Sequence, residues 1–236
     1  MANSNKINGF SPVGYLSGAA YTGAARMYAV PTADTTASYA IGDVVRSLGG
    51  SDANGVPYVI KIPAAEGQAF VPLGVIVGIS VADASVSLQA SALDLTQAFI
   101  LKGTRTADRY VYVADDPNLL FVACAGATAT NVTLAKMRYN SGIGSFYSAA
   151  DQTYAIDQNA SVTALSMGSP LSNIILPSST ISTGGILPVQ LLGLYQTPDN
   201  TVGAYARILC RFTYHEFGIS AIPGTSGGYV TQRVGL

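Results

Sequence analysis

The sequence predicts an all-β protein: a sandwich or barrel of many short antiparallel strands, with extended N- and C-terminal arms. Three observations carry that prediction. Apolar and polar residues alternate with a period of two in the clearest segments, above all Arg109–Cys124 and the stretch ending near Phe217. The run Leu73–Val81, LGVIVGISV, is nearly unbroken and rich in branched residues. Between such runs stand clusters of Gly, Pro, Asn and Asp, the residues of turns. No periodic repeat marks a solenoid or propeller.

Taken in order, residues 1–26 read as a polar, extended arm anchored by Phe10, Val13, Tyr15 and Tyr21, ordering against a neighbour or against its own body. The β-rich body spans 27–217. Met27–Pro31 is a short strand. Tyr39–Ser47 is apolar but interrupted by Gly42-Asp43, which marks a bend or bulge. SDANG at 51–55 is turn chemistry, and Pro57–Ile62 alternates as a strand. Leu73–Val81 suits a strand buried on both faces, its glycines admitting a second backbone. Residues 82–108 mix alternation at Val86 and Leu88 with a weak helix-like stretch near Leu93–Ile100.

RYVYVADDPNLLFVAC reads as strand, tight turn, strand. Tyr110 and Tyr112 share one face, Val111 and Val113 the other, and Asp115-Asp116-Pro117-Asn118 supplies the turn. Beyond it, Val132–Tyr139, Tyr154–Asp157 and Val162–Met167 are short strands, with 140–185 forming an insertion or a small second lobe. Val189–Tyr195, the turn TPDN at 197–200 and a long strand Val202–Phe217 close the body. In that strand Ile208, Cys210, Phe212 and Tyr214 share a face. Residues 218–236 read as a flexible tail or reaching arm.

Composition bounds the partners. Twelve Lys and Arg nearly cancel thirteen Asp and Glu, and charged residues make up only 11%, against roughly 25% in ordinary soluble domains. No polycation is present to neutralise a phosphate backbone, so no nucleic-acid partner is expected. An electrostatically held membrane-surface role is not expected either, and no apolar run is long enough to span a bilayer. The polar start MANSNKINGFSP has no hydrophobic signal core, so secretory export is not expected. A net charge of −1 with mean hydropathy +0.34 favours association, with much of the surface covered by other subunits. A monomer with a large core is the alternative. Cys124 and Cys210 read as buried thiols, a bridge between them being left open.

The chemistry-bearing residues are few. His215 is the single histidine, which removes multi-histidine metal centres. It reads as a half-exposed structural residue at a strand end. The Cys and His spacings of a zinc site are absent, as are the G-x-S-x-G elbow and the phosphate-cradling glycine motifs. Asp115 and Asp116 are explained by the turn, their adjacency sending them to opposite sides. The triplets at Asn131 and Asn159 match glycosylation acceptors but lack a secretory signal. No cofactor and no metal are expected. Fourteen Tyr and no Trp suit contacts between protein surfaces, and also sugar binding.

In order, the segments GFSPVGYLSGAAYTG, MYAVP, YAIGDVV, GVPYV, LGVIVGI, RYVYVADDPNLLF and LLGLYQTPDNTVGAYARILCRF resemble the capsid decoration, or cement, proteins of tailed bacteriophages. RYVYVADDPNLLF is the best single match. The likeness covers most of the chain and is weak over about 82–104 and 140–185. It departs at Val122-Ala123-Cys124-Ala125, where relatives are expected to carry an acidic or glutamine-bearing strand end, and in a longer tail from Ile219.

The resemblance implies a non-enzymatic virion protein, made in the host bacterial cytoplasm. It would bind the outer surface of an icosahedral head and bridge major capsid protein subunits. It also implies self-association, a trimer favoured over a dimer. Phe10, Tyr15, Tyr21, Asp115, Asp116, Asn118 and Tyr229 become the candidate capsid or subunit contacts. The competing readings are a virion-surface carbohydrate-binding or host-adsorption module, motivated by the tyrosines and the loops at 140–160, and a hydrolase using His215.

Overall fold

The computed structural model describes residues 3, 8–62, 71–83, 99–100, 102–126, 132–145, 174–176, 181, 187–218, 222–223 and 229–230. The strands among them, in chain order, are β1 (Phe10–Tyr15), β2 (Arg26–Val30), β3 (Tyr39–Ala40), β4 (Val44–Ser51), β5 (Pro57–Lys61), β6 (Gly74–Asp83), β7 (Phe99–Ile100) and β8 (Arg109–Ala114). They continue with β9 (Leu119–Cys124), β10 (Asn140–Ser141), β11 (Gly144–Ser145), β12 (Ile174–Ile175), β13 (Val189–Leu194), β14 (Arg207–Phe212), β15 (Ile222–Pro223) and β16 (Tyr229–Val230). The chain is all-β, and no α-helix occurs among the described residues.

The expected strand, turn and strand at 109–124 are present, but the two strands part company. β8 joins a closed barrel of order β2-β5-β4-β6-β8, whereas β9 joins a five-stranded sheet of order β1-β9-β14-β13-β10. The Asp115–Asn118 turn therefore carries the chain between two layers. The expected antiparallel pairing holds throughout both, except that β2 and β5 run parallel. Smaller pairs are β3 with β7, β11 with β12, and β15 with β16.

Period-two patterning explains how the layers meet. Tyr28, Val30, Val45, Val59, Ile76, Val111 and Val113 point into the barrel, where Tyr39, Leu73 and Ile100 join the same apolar cluster. The sheet turns Phe10, Phe121, Cys210 and Phe212 toward one end of that barrel, against Val44, Ile62, Val75 and Ala114. Neighbours Val75 and Ile76 thus serve different cores, so β6 is buried on both faces at its start, as its sequence suggests. Gly74 is required there: a Cβ would stand 2.3 Å from the Ala114 carbonyl oxygen. Gly42, the expected bend, has φ +95°, and a Cβ would lie 2.2 Å from the Asn8 oxygen.

Several expectations are corrected. Residues 10–15 of the presumed arm are an integral strand, because Phe10 is fully buried against Phe121 and Phe212. The outer edge of β1 is occupied by its own chain. The Phe10 N–H donates to Gly42 O (2.9 Å), Tyr15 N–H to Ala19 O (2.8 Å) and Tyr21 N–H to Val13 O (3.4 Å). Val132–Tyr139 is not a strand but contains a 3-10 turn at Leu134–Lys136. The slot beside β13 is filled instead by 138–141.

The long strand from Val202 begins only at Arg207. Asn200 captures the chain first, donating to the Tyr195 and Arg207 carbonyls (2.7 Å each) and accepting the Arg207 N–H (2.9 Å). β14 then ends at Phe212, so Tyr214 leaves the sheet. Within the C-terminal tail, β15 and β16 form a small antiparallel pair. Parts of the suspected insertion belong to the body: β10 pairs with β13, and Ala125 bridges Leu176. The readings at 84–98, 154–157 and 162–167, and the triplets' Asn131 and Asn159, lie outside the described residues. Cys124 and Cys210 are buried free thiols. Cys210 is registered with Phe121 and Cys124 with Arg207, which places the two on opposite faces of the sheet.

Candidate functional site

Where the chain crosses from barrel to sheet it leaves an open cleft of about 480 Å³, lined by Tyr15, Ala24, Ala25, Arg26, Asp115, Asp116, Pro117 and Phe217. Three segments build it. β1 ends at Tyr15 and turns sharply, the Gly18 N–H donating to Tyr15 O (2.9 Å). The chain then passes Tyr21, whose hydroxyl donates to the Ala24 carbonyl (3.0 Å) and so fixes the approach to Arg26, the first residue of β2. Opposite lies the 115–118 turn, and the third wall is the segment that leaves β14.

Adjacency does not send the two acids to opposite sides, because both lie beyond the end of β8 and line the same cleft, but they differ in burial. Asp115 is buried and accepts the Tyr28 hydroxyl (2.7 Å), while Arg26 Nη1 stands 3.5 Å from the same oxygen. Burial, followed by the bond to Asp115, pushes the Tyr28 phenol far up. Asp116 is exposed, and its Oδ1 accepts the Asn118 N–H (2.7 Å) in a local turn bond. The Leu119 N–H closes on Asp116 O (3.2 Å), and the Leu16 N–H docks on Asn118 O (2.9 Å).

Arg26 lies over the Phe217 ring, 5.5 Å from its centroid. Phe217 is 47% exposed. Behind it sits His215, which accepts the Phe217 N–H at Nδ1 (3.1 Å) and packs 6.0 Å from that ring and 6.5 Å from Phe212. His215 is buried, not half-exposed, because the chain bends inward after β14. Burial lowers its pKa to about 4, against the opposing pull of Asp115 and Asp116. The next residue, Glu216, ties this segment to the barrel: Oε1 accepts the Ser47 N–H (2.7 Å), Oε2 the Ser47 hydroxyl, and its own N–H donates to Pro72 O (3.1 Å).

The structure therefore gathers Tyr15, Asp115 and Asp116 at one cleft. Tyr21 and Asn118 support it through ring contact with Tyr15 (6.4 Å) and through the turn. Phe10 is core and not available as a contact. Tyr229 belongs to β16, opposite Pro223. Arg26 and Phe217 were missed by sequence reasoning. Each is an ordinary residue at the end of a segment, and no local pattern announces that the ends meet.

Elsewhere the tyrosines have a use the composition does not disclose. Tyr58 donates to Asp108 (2.6 Å), Tyr110 to Asp52 (2.5 Å), Tyr39 to Asp34 and Tyr28 to Asp115 (2.7 Å). The Asp108 bond, then burial, pushes the Tyr58 phenol up to about 12. These hydroxyls hold loops onto the barrel. Among the described residues no group of three or more His, Cys, Asp or Glu side chains converges to hold a metal.

Fold and cleft define an all-β protein with a charged, aromatic-walled notch at a layer junction. Compared with protein-family models, with curated proteins and with solved structures, the chain gave no match.

Proposed function

We propose that this chain is a capsid decoration protein of a tailed bacteriophage, binding the outer head surface and bridging major capsid protein subunits around the packaged DNA. The observation that carries the reading is where the family-like segments fall. GFSPVGY is β1, MYAVP covers most of β2, GVPYV enters β5 and LGVIVGI opens β6. RYVYVADDPNLLF spans β8, the crossing turn and the start of β9, and the closing segment holds β13 and β14. The likeness thus includes strands of both layers, together with the loops at 16–23 and 195–206.

Surface chemistry supports the same reading. Leu16, Leu48, Tyr112, Leu134, Val202 and Phe217 are large apolar side chains left exposed on a charge-poor protein. A protein that binds only the assembled shell stabilises it by mass action, and many copies on a symmetric lattice add avidity. A trimer at local three-fold positions fits this role best. The test is co-sedimentation of purified heads with the chain. A high, fixed stoichiometry is expected, and heads lacking the protein should release DNA at lower temperature. Particles that carry only a handful of copies would end the proposal.

A further inference from the structure

We infer that the junction cleft is a receptor for an arginine side chain presented by a neighbouring protein subunit. Asp116 is the ion-pairing group, and Tyr15, Ala24, Ala25 and Pro117 form the bed for the aliphatic stem. The charge count sets the sign of the ligand. Arg26 and Asp115 face each other at 3.5 Å and neutralise one another. Asp116 enters no ion pair among the described residues, so the described lining of the cleft carries one negative charge in excess. Its one turn bond, from the Asn118 N–H to Oδ1, leaves the exposed carboxylate with further acceptor capacity.

The lining sets the shape. Apart from its three charged groups, the cleft is walled by small or aromatic surface: two alanines, a proline, Tyr15 and Phe217. A long side chain with an apolar stem and a cationic head matches that arrangement. Arginine fits better than lysine, because a planar guanidinium pairs with a carboxylate through two parallel bonds and stacks on an aromatic face. The aromatic half of that geometry is already present in the site, with Arg26 over Phe217. The volume of about 480 Å³ is open to the surface, so the side chain can enter from another chain without unfolding either layer.

Naming the shell subunit as the source of the arginine rests on the decoration reading. The chemistry of the cleft does not, and the experiment separates the two. In the first arm, N-acetyl-arginine amide is titrated into the full chain and followed by NMR, with N-acetyl-citrulline amide as the uncharged isostere. Shifts at Tyr15 and 115–118 are expected in the millimolar range, with citrulline at least about tenfold weaker. Asp116→Asn, which keeps the turn acceptor, should remove the difference. No arginine shifts, or equal ones from citrulline, overturn the inference.

In the second arm, heads stripped of the protein are titrated with wild type, Asp116→Asn and Asp116→Lys. About tenfold weaker binding is expected for Asn, with a flatter salt dependence, and a larger loss for Lys. Asp199→Asn, at the other end of the sheet, should bind as wild type. Equal binding by all variants refutes the cleft as the capsid contact. Failure of the wild type to bind heads, with the arginine shifts intact, refutes the decoration reading and leaves the cleft standing.

Discussion

Barrel and sheet are both built from short strands, yet they are held together by different means. The sheet relies on an aromatic cluster: Phe121 lies 4.9 Å from Phe212 and 6.2 Å from Phe10, with Phe10 and Phe212 5.8 Å apart. The barrel is filled mostly by branched aliphatics, and the loops that close it are fastened by polar bonds. Four tyrosine hydroxyls meet carboxylates around it, and Lys61 pairs with Asp43 at 2.7 Å, both side chains essentially without solvent contact. A one-sided sheet can bury large rings against its neighbour. In the barrel the aromatic side chains are tyrosines, two of them, Tyr28 and Tyr39, within its apolar cluster, and their hydroxyls reach out to carboxylates on the neighbouring loops. The contrast implies that the barrel responds to charge and pH, and the sheet to volume.

The largest expected effects test that division directly. Phe121→Ala should cost about 3–5 kcal/mol through lost burial and an unfilled cavity. Lys61→Met should cost a similar 3–5 kcal/mol for another reason: it strands the buried Asp43 carboxylate. Asp43 also accepts the Ala40 N–H (2.8 Å), a bond that asparagine retains. Adding Asp43→Asn should therefore recover much of the Lys61→Met loss and none of the Phe121→Ala loss. Urea midpoints of the four variants decide the matter. Equal recovery in both backgrounds would show that the two regions are not held differently.

The seam between the regions supplies the next effect. His215 has its folded pKa lowered by burial to about 4, below its ordinary 6.5. The unfolded chain therefore binds the proton more readily. The neutral-histidine contribution is complete above pH 6.5 and is lost as pH falls toward 4, amounting to about 3 kcal/mol over that window. His215→Gln should flatten the stability profile between those limits. Asp34 and Asp52 act lower. For both, burial favours the protonated form, but hydrogen bonds outweigh it and hold the carboxyl below its ordinary 3.8. Their contribution is present above that value and is lost beneath it.

The sequence declared the pieces that local chemistry determines. The Asp115–Asn118 turn, the alternation of β8 and β14, the bend at Gly42 and the doubly buried start of β6 follow from residues adjacent in the chain. Partner choice does not. Nothing in RYVYVADDPNLLFVAC says that its two strands enter different layers, because that depends on what β1, β2, β6 and β14 offer in space. The same holds at the cleft, where Tyr15, Asp115 and Asp116 were legible as turn and anchor residues but Arg26 and Phe217 were not. His215 was misplaced because strand alternation was carried past Phe212, where the chain bends. One signal was readable: Gly203 stands within the first residues of the expected Val202–Phe217 strand, and glycine is a turn residue.

The smallest effect concerns one tyrosine fastening. Tyr110 donates to Asp52 (2.5 Å) and accepts from Asn54 Nδ2 (2.9 Å), which holds the 52–56 loop against the barrel wall. Tyr110→Phe keeps the ring and removes only the hydroxyl. A hydrogen bond to a charged group contributes about 1.5–3 kcal/mol. Asp52 still accepts the N–H groups of Asn54 (2.9 Å) and Val56 (2.8 Å), so the loss should lie near 1.5 kcal/mol. Tyr112→Phe serves as the comparison, because that ring is 41% exposed on the same strand, and a change within about 0.5 kcal/mol is expected. A pH series adds a second readout. With one donor gone, the Asp52 carboxyl should titrate higher than in the wild type, and the acid loss of stability should begin at higher pH. Equal losses for the two tyrosines, with no movement of the acid limb, would mean that the rings and not their hydroxyls secure the barrel. The contrast with the phenylalanine-packed sheet would then disappear.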